Sequence, residues 1–484
     1  MAKKLKQEKY LNQEVKNQNS VKIKAPIVEA LKTAYENPTY QFHIPGHTKG
    51  KAIFKDFRKL IGEKALNVDT TDEFDNLGTL HPATGPIKEA QELAAEAFGA
   101  KKTFFLLNGS TAGNLALAMA LTKKGDKVIV NRNCHRSVLT GMIISGAEPI
   151  WICPNRIEDW SIWGNTDAAQ IEELINKNPD VSMVWITNPT YEGVVSDIKA
   201  ISIVCKKHNI PLIVDEAHGC LWNFNKHLPE TALKLGADAV VHSLHKTGGS
   251  MSQSSMLHIA KDSCLNVEAV EKALKLLHTT SPSLMLLASL DAARANLQSK
   301  NGQILLERAV KNAKYLRTRL DSIQGLHQLK GDFGYKTDVT KVFIRIDGLS
   351  GKRLESILEI DFGIEVESAS DIGVLILCNI GNKHSDFKYL ADCLEKIAAT
   401  NYQDIYYLEK RKHMPMLEPQ IKMSLREAFY AEKETISKSE AIGRISAEVV
   451  AECPPGISIL LPGELITEEH LPYLNDYETL EVVK

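Results

Sequence analysis

Between Gly85 and Ile259 the chain alternates short apolar runs with segments of helical period, and few architectures accept that pattern. Thr103–Leu107, Val128–Val130, Glu148–Cys153, Ser182–Thr187, Pro211–Val214 and Ala239–Val241 each read as a buried strand. Pro86–Phe98 precedes them as an amphipathic helix that closes near Gly99. Leu115–Leu121, Ser137–Ser145, Ala168–Asn176 and Ile198–His208 carry the intervening helical spacing. Strands separated by helices of this kind need crossovers, which predicts a mostly parallel sheet covered on both faces. Ser254–Ile259 follows the sixth strand too closely for a crossover, so that seventh strand is expected to run antiparallel.

The remainder is divided by the same logic. Residues 1–25 read as a mobile, lysine-rich N-terminus, and 26–84 as an N-terminal segment with a helix at Pro26–Tyr35. The alternating stretch makes a large domain over 85–300. A long helix, Gly302–Ile323, leads into a smaller α/β unit over 301–400, with strands at Val342–Ile346, Ile364–Glu367 and Val374–Cys378. Residues 401–484 read as a helical tail, with helices near Leu425–Lys433 and Ser437–Arg444. A chain of 484 residues is too long for one core, which agrees with this division.

Composition excludes several function classes. The formal net charge of −2 gives no electrostatic footprint for nucleic acid or an anionic membrane. No apolar run approaches the roughly 20 residues that span a bilayer, and the polar N-terminus is not a secretory signal. The 8 cysteines are scattered, with no Cys-x-x-Cys pair and no His/Cys cluster at zinc spacing, so reduced thiols in a cytoplasmic protein without a metal are expected.

Ligands of open α/β sheets sit at the carboxyl ends of the strands. Four marked segments fall there: Asn108–Asn114, Asn133–His135, Asp215–His218 and Ser243–Lys246. Asn-Gly-Ser-Thr-Ala-Gly-Asn opens a helix, where free N–H groups and two hydroxyls suit a phosphate as well as an ordinary cap. Asp215 ends an apolar strand, where a carboxylate is costly without a cationic partner. His135 could stack on a planar ring. Lys246 follows a buried strand, and a lysine shielded from water exposes the neutral amine that condenses with an aldehyde. Taken alone, Ser-x-His-Lys more often describes a surface loop whose lysine points into solvent. Asp215-Glu216-Ala217-His218 also spells the box of a nucleic-acid-remodelling ATPase, but no Gly-x-x-x-x-Gly-Lys-Ser/Thr loop precedes it.

Seven segments in order, HIPGHTKG, NGSTAGN, NCHRSV, TNPTYEGVVSDI, VDEAHG, SLHKTGGS and PPGISILLPGE, resemble the Orn/Lys/Arg decarboxylases in their short bacterial form. The resemblance runs from about Pro26 to the C-terminus. It implies pyridoxal-phosphate fold type I, α/β, with a mostly parallel seven-stranded sheet, and decarboxylation of a basic amino acid. Arginine, giving agmatine for polyamine synthesis, is favoured over lysine or ornithine. It further implies Lys246 as the Schiff-base lysine, Asp215 as partner of the pyridine nitrogen, and His135 stacked on the ring. Ser110, Thr111, Ser243 and His245 would surround the phosphate, with Ala217 beneath the ring. His218 stands where long forms carry an aromatic residue, which leaves its role open. Glu464, His43, His47 and Asp75 would lie toward the substrate, and the enzyme would be a homodimer or higher homo-oligomer. An aminotransferase or aldolase of the same fold would use the same lysine and acid. A non-catalytic regulatory relative is the alternative of another class, against which the intact lysine speaks.

Overall fold

The computed structural model describes residues 23–36, 40–71, 76–331, 335–400, 417–452, 456–474 and 476–484. Residues 1–22, Asp75 and the Cys453–Pro455 turn therefore lie outside the described residues. Of the expected mobile N-terminus, Lys24 is tied down, since its carbonyl accepts from the buried Arg294 guanidinium at 2.8 Å.

Seven strands form the large sheet: β1 (Lys102–Leu106), β2 (Lys127–Asn131), β3 (Glu148–Ile152), β4 (Val181–Thr187), β5 (Leu212–Asp215), β6 (Ala239–His242) and β7 (Ser255–Ile259). Their order is β1-β7-β6-β5-β4-β2-β3. Strands β2 to β6 pair in parallel, whereas β7 runs antiparallel to both β1 and β6, as its short connection requires. The period of two decides which face each residue serves. Val128, Val130, Ala239 and Val241 pack with the helices Gly109–Leu121, Arg136–Ser145 and Val267–Leu277. Ile129 and Val240 pack on the opposite face with the helices Ala168–Lys177 and Ile198–Lys207. Gly113 permits the closest of these contacts, because a Cβ there would lie 2.9 Å from Leu106 Cδ1 and 3.2 Å from Val241 Cγ1. The helix that follows β1 thus lies directly on the sheet, and its N-terminus is carried to the strand ends.

The helix Lys300–Asp321 enters a four-stranded sheet of β8 (Leu326–Gln328), β9 (Lys341–Ile346), β10 (Ser368–Ala369) and β11 (Val374–Leu377), in the order β8-β9-β11-β10 and antiparallel throughout. The strand expected at Ile364–Glu367 is displaced to Ser368–Ala369. Gly363 closes the preceding helix in the left-handed region and Ile364 N–H donates to Leu358 O at 2.8 Å, so the backbone joins the sheet later than its apolar pattern suggests.

The C-terminal region also departs from expectation. The helix Leu425–Tyr430 is present, but Lys433–Ser437 is a strand paired with Thr479–Val483, and no helix spans Ser437–Arg444. Ser437 instead bonds Glu440 through its amide and hydroxyl, which turns the chain. A strand whose partner lies some forty residues away leaves no local periodicity to read.

Candidate active site

A cavity of ≈ 280 Å³ opens at the carboxyl ends of β4, β5 and β6. Asp215, Lys246, His135, His218, Ser110, Thr111, Ser243, His245 and Ala217 all line it. Nine of the side chains singled out from sequence are therefore brought together in one place.

Lys246 sits within one helical turn, Leu244–Thr247, immediately after β6, and its Nζ donates to His218 Nε2 at 2.9 Å. His218 is buried, and burial, reinforced by the positive charge of Lys246, holds its imidazole well below the usual histidine range. A neutral ring can accept from the amine; an imidazolium could not. Asp215 is buried at the end of β5, where Asn114 Nδ2 donates to Oδ2 at 2.9 Å and the Ala217 amide to Oδ1 at 3.2 Å. Both donors are neutral, so the carboxylate keeps its capacity for a cationic partner in the cavity.

Asn114 carries the order outward. Its Nδ2 also donates to Ser137 Oγ at 2.9 Å, and Ser137 Oγ lies 2.7 Å from His135 Nδ1. The Ser137 amide donates to the same Nδ1 at 3.2 Å, as a helix cap, so Nδ1 is an acceptor and His135 is neutral. Burial lowers its pKa, and the nearby Asp215 opposes part of that effect. Ser110 and Ser243 meet across the cavity mouth at 2.7 Å. The helix Gly109–Leu121 begins beside them without a side-chain cap; its first N–H, that of Gly109, donates to Gln253 O at 2.8 Å, and Ser110 and Thr111 of the same turn line the cavity. His245 Nδ1 is held by Ser254 O at 2.8 Å.

Sequence reasoning gave no role to Asn133, Thr187, Tyr191, Gln253 or Ile457, which also line the cavity. Asn133 Oδ1, Thr187 Oγ1 and His218 Nδ1 are buried without a protein partner, so the wall holds polar atoms suited to a ligand. Asn133, Thr187, Tyr191 and Ile457 all stood inside quoted motifs, and Ile457 comes from the far end of the chain. It arrives because His135 bridges to Ile457 and Arg132 donates to Ser458 O at 2.7 Å and Ile459 O at 3.0 Å.

Three of the four expected substrate residues do not line the cavity, and the fourth is not described. His43 and His47 lie on the irregular segment before Lys55, where His47 Nε2 is 3.1 Å from Asp69 and Nδ1 accepts from the Gly50 amide at 2.9 Å. Asp75 lies outside the described residues. Glu464 is fully buried away from the cavity, bonded to the Leu461 amide at 3.0 Å, with His470 at 3.3 Å and Arg132 at 3.9 Å. Through these partners it ties the C-terminal region to Arg132 of the large domain. Glu464→Gln is therefore expected to destabilise the fold by about 3 kcal/mol, because it leaves a buried guanidinium without its counter-charge. Thermal melting checks this, and a raised KM for substrate without loss of stability would restore the substrate role.

The family model described as Orn/Lys/Arg decarboxylase, major domain, matches residues 25–342, and that of its C-terminal domain matches 407–482. The arginine decarboxylase of Bacillus subtilis (strain 168) is 38% identical over 457 residues, covering 93% of this chain and 92% of the relative. The chain belongs to the Orn/Lys/Arg decarboxylase family. The arginine decarboxylase of Halalkalibacterium halodurans is 37% identical over 451 residues, at 92% and 91% coverage. The solved constitutive lysine decarboxylase of Escherichia coli superposes with a TM-score of 0.80 at 22% identity, covering 99% of this chain and 84% of that one. The fold is the type I fold of these decarboxylases, and the protein is an amino-acid decarboxylase.

The buried imidazoles of this decarboxylase predict an acid-labile fold. Burial pushes His278 down to about 4, with His81 adjacent at 2.7 Å, and holds His258 and His218 well below their ordinary value. An unfolded chain binds protons below about pH 6.5 that these folded rings refuse, so stability is complete above that pH and falls as pH drops. His278 alone accounts for up to roughly 3 kcal/mol of that loss. Melting temperature measured from pH 7 to 4 is expected to fall more steeply in the wild type than in His278→Asn; parallel curves would contradict this.

Proposed function

We propose that this decarboxylase uses pyridoxal 5′-phosphate to convert a basic amino acid, arginine in preference to lysine or ornithine, into its amine. The observation that carries the reading is the convergence of Lys246, Asp215, His135 and the Ser110–Ser243 pair on one cavity. The residues present fit the cofactor. Among the described residues Asp215 has neutral donors alone and suits a protonated pyridine nitrogen, and the helix N-terminus without a side-chain cap, with Ser110, Thr111, Ser243 and His245, suits a phosphate. Lys246 would attach it, with His135 and Ala217 against the ring. When bound, the cofactor supplies an electron sink for the pair left by departing CO2.

The chain's own groups do the rest. His218 Nε2 accepts from Lys246 Nζ and keeps the amine directed into the cavity. Asp215 keeps a negative charge at the cavity floor, where a cation is stabilised in surroundings of low dielectric. Lys246 Nζ is a proton source for the carbon that loses CO2.

The aminotransferase alternative commonly needs an arginine for the substrate carboxylate. No arginine lines the cavity among the described residues. Arg345 donates to Asp159 O and lies over the Trp160 ring at 4.7 Å, and Arg353 is exposed. Similarity to the two arginine decarboxylases supports arginine as substrate, with agmatine leading toward polyamines in the cytoplasm. A homodimer is supported by the exposed apolar groups Tyr40, Phe42, Phe54 and Leu60, which a second copy would cover. The same reading assigns 85–300 to cofactor binding, 301–400 to the small unit and 401–484 to the C-terminal unit. The test is product formation from arginine, lysine and ornithine with added cofactor. CO2 and agmatine, formed fastest from arginine, are expected; amino transfer to a keto acid without CO2 would select the aminotransferase.

A further inference from the structure

Lys341 is a lysine in the dry interior. It opens β9 of the small unit, is 1% exposed, and pairs with Asp338 at 3.6 Å, itself 2% exposed. An ammonium is rarely placed there without a task, since removing it from water costs several kcal/mol that a single ion pair often fails to recover. Its Nζ donates to His218 O at 3.0 Å, which is the backbone of the residue whose imidazole accepts from Lys246.

Two of the segments packed against Lys341 also wall the cavity, the one that carries Ala217 and His218 and the one that carries Thr187, Thr190 and Tyr191. Asp338 accepts from Trp222 Nε1 at 2.8 Å, four residues beyond His218, and its amide donates to Gly193 O at 2.9 Å. Lys336 and Thr337 pair with Val195 and Val194. Gly193 has φ +95°, and a Cβ there would lie 2.8 Å from Lys341 Cβ, so the lysine stem runs tightly against the loop that carries Thr190 and Tyr191. Asp338 keeps donors from Thr340 N at 2.9 Å and Thr340 Oγ1 at 2.6 Å, independent of Lys341. The charged and titratable groups around His218 are Lys246, Lys341, His135 and His245, with the Tyr191 ring edge-on at 5.2 Å; Asp338, Cys220 and Cys378 face Lys341, and Arg317 donates to Lys341 O at 2.6 Å.

We propose that Lys341 is a positioning residue for the decarboxylation: from the small unit it grips the His218 backbone and fixes the imidazole that holds the Lys246 amine in the cavity. The inference rests on Lys246 being the cofactor-binding lysine. It makes the junction between the large and small units part of the catalytic apparatus, because a shift of β9 would move His218 without touching the cavity directly. The Lys341 charge also opposes protonation of His218, which keeps the ring an acceptor at lower pH.

The test compares wild-type holoprotein with Lys341→Met, which keeps the stem and removes the ammonium. Melting should report a folded protein, with KM for arginine within about threefold and kcat lowered by about tenfold or more. The acid limb of the pH–rate profile and the pH midpoint of the cofactor's visible absorbance should both move upward by about one unit. Lys341→Gln, neutral but still a donor, answers in the same direction with a smaller loss if the first variant does not fold. In a His218→Phe background, Lys341→Met should change nothing further. Unchanged kcat and absorbance midpoint in the folded variants, or a loss that simply adds in that background, overturns the proposal while leaving the cofactor reading intact. Wild-type protein that forms no Schiff base overturns both.

Discussion

Lys246→Ala is expected to lose turnover by on the order of 10⁴-fold or more, with a melting temperature close to that of the wild type. The loss follows from position. Lys246 Nζ bonds His218 inside the cavity and reaches it from a single helical turn between β6 and Gly248, so no other described lysine lines that space. Removing the amine also removes a charge from a partly buried site, which explains why stability should hold. Added pyridoxal phosphate should then bind without the absorbance of a Schiff base. Residual turnover within about tenfold of wild type would mean that the cavity works by another chemistry.

The second large effect is expected from Asp215→Asn. The substituted side chain has nearly the same shape, and one amide oxygen can still accept from the Ala217 N–H or from Asn114. The change therefore isolates the charge. Because the carboxylate has no cation among its protein partners, its charge serves what enters the cavity, and its loss should lower kcat on the order of 10³-fold with weaker cofactor retention. Equal activity would show that Asp215 is a structural acid held by its two neutral donors. A loss of folding in place of a loss of rate would point the same way.

The sequence made the large sheet and the cavity floor readable for the same reason. Continuous apolar runs such as Lys127–Asn131, buried on both faces of the sheet, fix both the strands and the point where each ends, and the chemistry sits at those ends. Asp215, Ser243 and Lys246 are consequences of that local rule. The surroundings of Glu464 were not legible, because its partners, Arg132 and His470, come from another unit and from a later turn, and burial cannot be read from a polar residue in a tail. The β-strand at Lys433–Ser437 was hidden for a similar reason, since its pairing is with residues 479–483. Lys341 and His218 show the limit most clearly. Each is unremarkable in its own segment, and their connection spans 123 positions. His43 and His47 are half-buried on a segment rich in uncovered apolar groups, away from the cavity lining.

The central claim is that Lys246 carries the cofactor in a decarboxylase acting on a basic amino acid. It is tested most directly by adding pyridoxal phosphate to the purified protein, reducing with borohydride, and mapping the modified residue by mass spectrometry of its peptides. The account predicts one stable phosphopyridoxyl group per chain, on Lys246, and no CO2 release from arginine after reduction. Modification at another lysine, or full activity in the reduced protein, would contradict it.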